Sequence, residues 1–441
     1  GALQSEPVAK GARTYASFTQ EDAAVCEEIL SDLSESIFRN LLELRAASDT
    51  YTASLRSQLS YAFEGSSGVP KQRVKPWTRL RGVVKASIAF GGLRSTLSKI
   101  RTGGGATGHG VESLNARESE LLQSWDFDPF SLSTDQLVEH AVAMFEIAGV
   151  TRAIGEDFDS EALVGWAKRI STHYHQNPYH NFQHAVCVLH GCFMMYQLTN
   201  LGSFLTDIDK LCFFVAALSH DVGHNGRTNS YHINTRSEIA LRYNDASVLE
   251  SYHASLAFEI LGYRDEENYL LKGLGPEELR ECRATVVNLI LATDVAQHVK
   301  NTSDFINHSR DVWTTYEDRL ILMKVCLQAA DVSNPTRPRE LAEKFSNKVA
   351  EEFSQQVAEE GTLGINSLPF MMNLDDLATR MKGEVAFIDY VVQPLYRPLA
   401  RMFPELKSSL DNLEKNRDYF KTVQEDAQAQ LDRDATKAPP V

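Results

Sequence analysis

Nine of the thirteen histidines fall between His173 and His253, with aspartates threaded among them. His180 and His184 stand four apart in YHNFQHA, and His220 and His224 stand four apart in HDVGHNG, where Asp221 follows the first. On a helix, residues four apart project from one face. Imidazole plus carboxylate suits zinc and harder divalent ions, and one carboxylate can bridge two of them. Two histidines and one aspartate leave a coordination shell incomplete. Asp331 is the natural further carboxylate, because it ends the apolar run Leu320–Ala330 and an unpartnered buried aspartate is costly.

The elements that must position these groups read as helices. From about Glu112 onward, helical periods of 12–20 residues alternate with short polar connections, and no hairpin signal appears. An all-α, compact multi-helix domain is expected over 112–430, with a short tail at 431–441. Upstream, Cys26, Leu30, Leu33, Ile37, Leu41 and Leu44 mark a helical N-terminal extension over 1–64, whose apolar face docks on its own domain or forms a dimer seam. Residues 65–111 form a basic, glycine-rich linker with ten of the 25 glycines, nine Lys or Arg and no Asp or Glu. It is expected either to stay solvated or to dock on an acidic surface, that of the rest of the chain or of an anionic membrane.

The net charge of −15 disfavours nucleic acid as a partner. The apolar runs Leu211–Leu218 and Val286–Ala292 are shorter than a membrane span, and no signal peptide opens the chain. Six scattered cysteines without a CxxC pair read as free thiols, so a cytoplasmic protein is expected.

The run His220-Asp221-Val222-Gly223-His224-Asn225-Gly226-Arg227-Thr228-Asn229-Ser230-Tyr231 resembles the signature of the class I 3′,5′-cyclic nucleotide phosphodiesterases. YHNFQHA, SYHINTRSEIALRYNDASVLESYHA, ATDVAQH, ADVSNPTRP and FIDYVVQPL resemble further blocks of that family in the right order, from about Leu121 to Thr422. The resemblance implies hydrolysis of cAMP, cGMP or both to the 5′-monophosphate. Zinc would be held by His184, His220, Asp221 and Asp331, and a second ion, magnesium or manganese, by Asp221 and waters. His224, Glu250, His253 and Thr293 would orient those waters. A hydroxide between two cations is nucleophilic at neutral pH. His180 is implied as the acid for the leaving 3′ oxygen, with Glu414 as the carboxylate that pairs with it and raises its pKa. Tyr179, Asn334, Val349 and Phe387 are implied to line the substrate, with Phe387 and Val349 on the two faces of the purine.

The chain departs from the family at three places. Glu384 stands where the family carries a purine-reading glutamine, and an ionised glutamate only accepts hydrogen bonds. Gly223 and Asn225 replace the commonest Asp and Pro, neither of them an implied ligand. Two rival readings are a different HD-type phosphohydrolase and a non-catalytic cyclic-nucleotide sensor or scaffold. An intact ligand set argues against the second.

Overall fold

The computed structural model describes residues 114–262, 270–308 and 313–437. The expected extension, the basic linker and Cys26 lie outside these residues. Among the described residues every regular element is helical. In chain order the α-helices are α1 (Ala116–Leu122), α2 (Thr134–Ala148), α3 (Ser160–His173), α4 (Phe182–Leu198) and α5 (Asp207–Ser219). Short helices α6 (Asn229–Thr235) and α7 (Glu238–Arg242) lead into α8 (Val248–Ile260), α9 (Pro276–Leu291) and α10 (Val295–Ile306). The last five are α11 (Tyr316–Asp331), α12 (Arg339–Leu363), α13 (Leu377–Phe387), α14 (Gln393–Met402) and α15 (Lys407–Lys437). Helix α15 runs past the boundary expected at 430.

Three helices are apolar nearly all round, which marks them as central. In α4 the run from His184 to Met195 is buried, in α5 the run from Leu211 to Ser219, and in α11 the run from Val325 to Ala330. Each of them delivers functional groups from an end. His184 lies in the first turn of α4, His220 caps the C-terminus of α5, and Asp331 is the last residue of α11.

The register of these helices has identifiable causes. A capping box at Thr206 and Asp209 starts α5, and the same buried Asp209 accepts from Arg319 Nε on α11 at 2.6 Å. A Cβ at Gly191 would sit 2.9 Å from the Cβ of Ala330, so the missing side chain lets α4 and α11 approach and seats Asp331 beside His184. Beyond Asp331 the chain is pinned on two sides. The buried Arg337 guanidinium donates to the Cys187 carbonyl at 3.0 Å and pairs with His190 Nδ1 at 2.8 Å. Asn416 of α15 donates to the carbonyls of Pro335 and Arg337, each at 2.8 Å.

Gly191→Ala is therefore expected to cost about 1–3 kcal/mol by overpacking. It should also weaken metal retention, because Asp331 moves with α11. Thermal melting and metal analysis of the variant check both effects.

The described cysteines, Cys187, Cys192, Cys212, Cys282 and Cys326, are all buried and unbridged. None of the described helices is long and apolar enough to cross a membrane.

Candidate metal centre and active site

The two four-residue histidine spacings do not lie on helices as the spacing alone suggests. Asn181 is the N-cap of α4 and accepts from the N–H groups of Gln183 and His184, so His180 lies in the preceding turn. His224 belongs to an irregular loop in which Gly223 and Gly226 take φ +80° and +73°. These left-handed positions favour glycine and fold Asp221 and His224 back toward α4.

His184, His220, Asp221 and Asp331 converge. His184 Nε2 lies 3.3 Å from His220 Nε2, 3.1 Å from Asp331 Oδ1 and 3.4 Å from Asp221 Oδ2. His220 Nε2 lies 3.2 Å from Asp221 Oδ2 and 3.4 Å from Asp331 Oδ1. A tetrahedral zinc site with bonds of about 2.0–2.1 Å needs donor atoms about 3.3 Å apart, and each of these five separations is close to that spacing. The His220 ring approaches the Ala217 carbonyl through Nδ1 at 3.0 Å, which sets the tautomer that leaves Nε2 free as a ligand.

The electrostatics of the cluster favour a cation. Burial pushes both carboxyls up, yet His220 and His184 hold Asp221 and Asp331 well below the usual carboxylate range. His220 is conversely raised against its burial by the charges of Asp221 and Asp331.

A column of imidazoles flanks this cluster. His224 stacks on His180 at 4.0 Å between centroids and on His253 at 5.5 Å. His224 Nδ1 accepts from the Gly226 N–H at 2.9 Å, so its proton sits on Nε2, and burial and the nearby His180 charge hold it neutral. His253 donates from Nδ1 to the Val222 carbonyl at 2.8 Å, and burial lowers its pKa to about 4. Its Nε2 is buried without a partner, 3.8 Å from Asp221 Oδ1. Two acceptors facing across that gap need a donor between them, which a water of the metal shell would provide.

Glu250 accepts from Asn229 Nδ2 at 3.0 and 3.2 Å, and burial raises its carboxyl to about 7. The Thr293 hydroxyl donates to the Ile290 carbonyl at 2.7 Å, which leaves only its lone pairs for a water.

Glu414 does not reach His180: half-exposed on the outer side of α15, it lies 3.8 Å from Arg397. Its neighbour Leu413 takes the inward direction. The carboxylate that pairs with His180 is Glu352 of α12, which the sequence reading missed. His180 Nδ1 donates to Glu352 Oε1, and Oε2 accepts from the backbone N–H groups of Tyr179 and His180, each at 2.9 Å. Burial alone would lower the imidazole pKa, but Glu352, with Asp221 and Asp331 behind it, raises it to about 9. Glu352 belongs to a buried stripe with Phe345, Gln356 and a second glutamate, Glu360, on one face of α12. That polar interruption of an apolar stripe was the available signal.

Tyr179 and Asn334 also meet, the amide donating to the phenol oxygen at 2.7 Å. The Tyr179 ring packs 4.6 Å from that of His184.

A sequence model described as 3′5′-cyclic nucleotide phosphodiesterase matches residues 179–413. The chain belongs to that family.

Among curated relatives of this phosphodiesterase family, the 3′,5′-cyclic-nucleotide phosphodiesterase regA of Dictyostelium discoideum is 29% identical over 91% of this chain and 51% of its own length. The mouse high affinity cGMP-specific 3′,5′-cyclic phosphodiesterase 9A is 31% identical over 73% of this chain and 60% of its own. The chain thus spans about half to three fifths of the length of these two relatives. The crystal structure of the phosphodiesterase domain of Salpingoeca rosetta rhodopsin phosphodiesterase superposes with a TM-score of 0.67 at 35% identity. That match covers 73% of this chain and 98% of the domain.

The remaining residues aligned with this phosphodiesterase family lie on α12 and α13. Ser346 and Arg380 lie beside Glu384, whose carboxyl is raised by burial and pulled back by those two neighbours. Val349 and Phe387 each lie three residues further along the same helices, both partly buried.

Proposed function

We propose that this chain hydrolyses 3′,5′-cyclic nucleotides to 5′-monophosphates. The observation that supports this most is an ion-paired imidazole mounted beside a four-donor metal cluster, with His180 and His184 rings 5.7 Å apart. Zinc on His184, His220, Asp221 and Asp331, with a magnesium or manganese ion sharing Asp221, would supply Lewis-acid activation of phosphate and water.

The protein's own groups do the rest. Glu352 holds Nδ1 of His180, so Nε2–H is the proton delivered to the 3′ oxygen as the P–O3′ bond breaks. One water is consumed, and its second proton returns to His180 after the product leaves. His253 Nε2 and Glu250 are acceptors that orient the attacking water.

The protonated form of His180 is the active one, so the rate should fall as pH rises through about 9. Glu352→Gln removes the opposing charge and lowers the His180 pKa. The alkaline limb of kcat/KM should then move down by at least about one pH unit. An unchanged limb would remove Glu352 from this role.

The reading as a whole is tested by offering the zinc- and magnesium-loaded chain cyclic and linear nucleotides side by side. Turnover of cAMP or cGMP with linear nucleotides untouched supports it. The reverse pattern marks a different HD-type phosphohydrolase.

A further inference from the structure

Two loops bring the rings of His180 and His224 face to face, and one side chain joins them. Asn177 lies half-buried three residues before His180. Its Nδ2 donates to the His180 carbonyl and to the His224 carbonyl, each at 2.7 Å. A primary amide carries two N–H donors, so both are used, and among side chains of this length only asparagine supplies two neutral donors. The rest of the amide is fitted as closely. A Cβ added at Gly226 would stand 3.2 Å from Asn177 Oδ1 and 3.5 Å from Glu352 Cδ. The Asn177 carbonyl accepts from Asn181 Nδ2 at 2.9 Å, which closes the turn that leads into α4.

The two stacked rings are held unequally. His224 has anchors of its own: its Nδ1 accepts from the Gly226 N–H at 2.9 Å, its backbone N–H donates to the Asp221 carbonyl at 3.0 Å, and its ring also stacks on His253. His180 is held at Nδ1 and at its backbone N–H by a single carboxylate, that of Glu352. A ring held at one nitrogen can still pivot about that bond. Asn177 ties the carbonyl end of His180 to the His224 loop, and the ring centroids stand 4.0 Å apart.

We propose that Asn177 is a positioning residue for proton delivery: by joining the His180 and His224 carbonyls it fixes the direction of His180 Nε2–H toward the leaving 3′ oxygen. This role deepens the hydrolase reading above and rests on it. The same loops also meet four residues earlier, where the Gly223 N–H donates to the His173 carbonyl at 3.1 Å. Loss of the Asn177 side chain therefore frees the turn without parting the loops, and its hydrogen bonds go to none of the four metal-donor residues.

Asn177→Ala should lower kcat for a cyclic nucleotide by about 10–10²-fold, with KM changed by less than about threefold and metal content unchanged. The loss should depend on the leaving group. In the analogue that carries sulfur in place of the bridging 3′ oxygen, a thiolate departs without a proton, and the same variant should lose less than about threefold. On the His180→Ala background, Asn177→Ala should cost less than about threefold more, because the group it aims is gone. Asn177→Asp is equal in size and, when ionised, has no donor, so it should reproduce the pattern and carries the test if the alanine variant does not fold.

The measurements use the metal-loaded full chain. Equal losses with oxygen and sulfur leaving groups, or an undiminished loss on the His180→Ala background, would overturn the proposal. If the wild-type chain hydrolyses no cyclic nucleotide, the hydrolase reading fails. In that case the nuclear Overhauser effect between the His180 and His224 ring protons decides the positioning role by itself: it should be present in the wild type and lost in Asn177→Ala, and an unchanged effect would overturn it.

Discussion

Asp331→Ala should lose both metal and turnover while the protein stays folded. Asp331 supplies one of the four converging donor atoms, 3.1 Å from His184 Nε2 and 3.4 Å from His220 Nε2. It lies at the very end of α11, past the buried run that holds the helix in place. Removing it strips one ligand from the cluster and takes nothing from the apolar core, so stability should change by no more than about 1 kcal/mol. The rate should fall by far more than about tenfold, because loss of the ion would remove the Lewis acid that activates phosphate and water. Metal content by mass spectrometry, melting temperature and kcat, taken on one preparation, separate the outcomes. A variant that keeps more than about a tenth of the rate with full metal stoichiometry removes Asp331 from the ligand set.

The second large effect is expected at His180. His180→Ala should leave metal content intact, since its ring is held by Glu352, apart from the donors that meet at His184 and His220. The rate should fall by about 10²–10⁴, the usual span for loss of general acid catalysis. An analogue with a leaving group of low pKa should recover much of that loss, because it departs without a proton. Loss of zinc in this variant would instead identify His180 as a ligand. Equal losses for good and poor leaving groups would exclude proton donation.

Candidates for the histidine–aspartate cluster were legible in the sequence from their spacing, and the family resemblance picked His184, His220, Asp221 and Asp331 from among them. Histidines and aspartates at short spacing next to apolar runs have few structural uses, and the helix-terminal position of Asp331 followed from the run before it. The backbone around them was less legible. Spacing of four suggested helical faces for His180 and His184, but Asn181 makes a better N-cap than helix interior, and its amide fixes the start of α4 one residue later. Gly223 and Gly226 permit the left-handed turns that bring His224 over His180, a contact no periodicity encodes.

The resemblance pointed to Glu414, whereas the carboxylate on His180 is Glu352. Both are glutamates on long helices, and only tertiary packing determines which one faces His180. Glu352 is separated from it by 172 residues, and its distinguishing mark is a place among buried residues of α12. Gly191 is similar: its meaning lies in Ala330, on another helix. Glu384 was legible as a departure, whereas its neighbours Ser346 and Arg380 became visible only with the fold.

The proposed hydrolysis breaks the P–O3′ bond. Hydrolysis of a 3′,5′-cyclic nucleotide in 18O-labelled water by the metal-loaded chain, followed by 31P NMR of the product, reads this in one spectrum. Water attack at phosphorus with His180 protonating the 3′ oxygen predicts a 5′-monophosphate carrying a single 18O on phosphorus. A 3′-monophosphate, or a product without label on phosphorus, would contradict it.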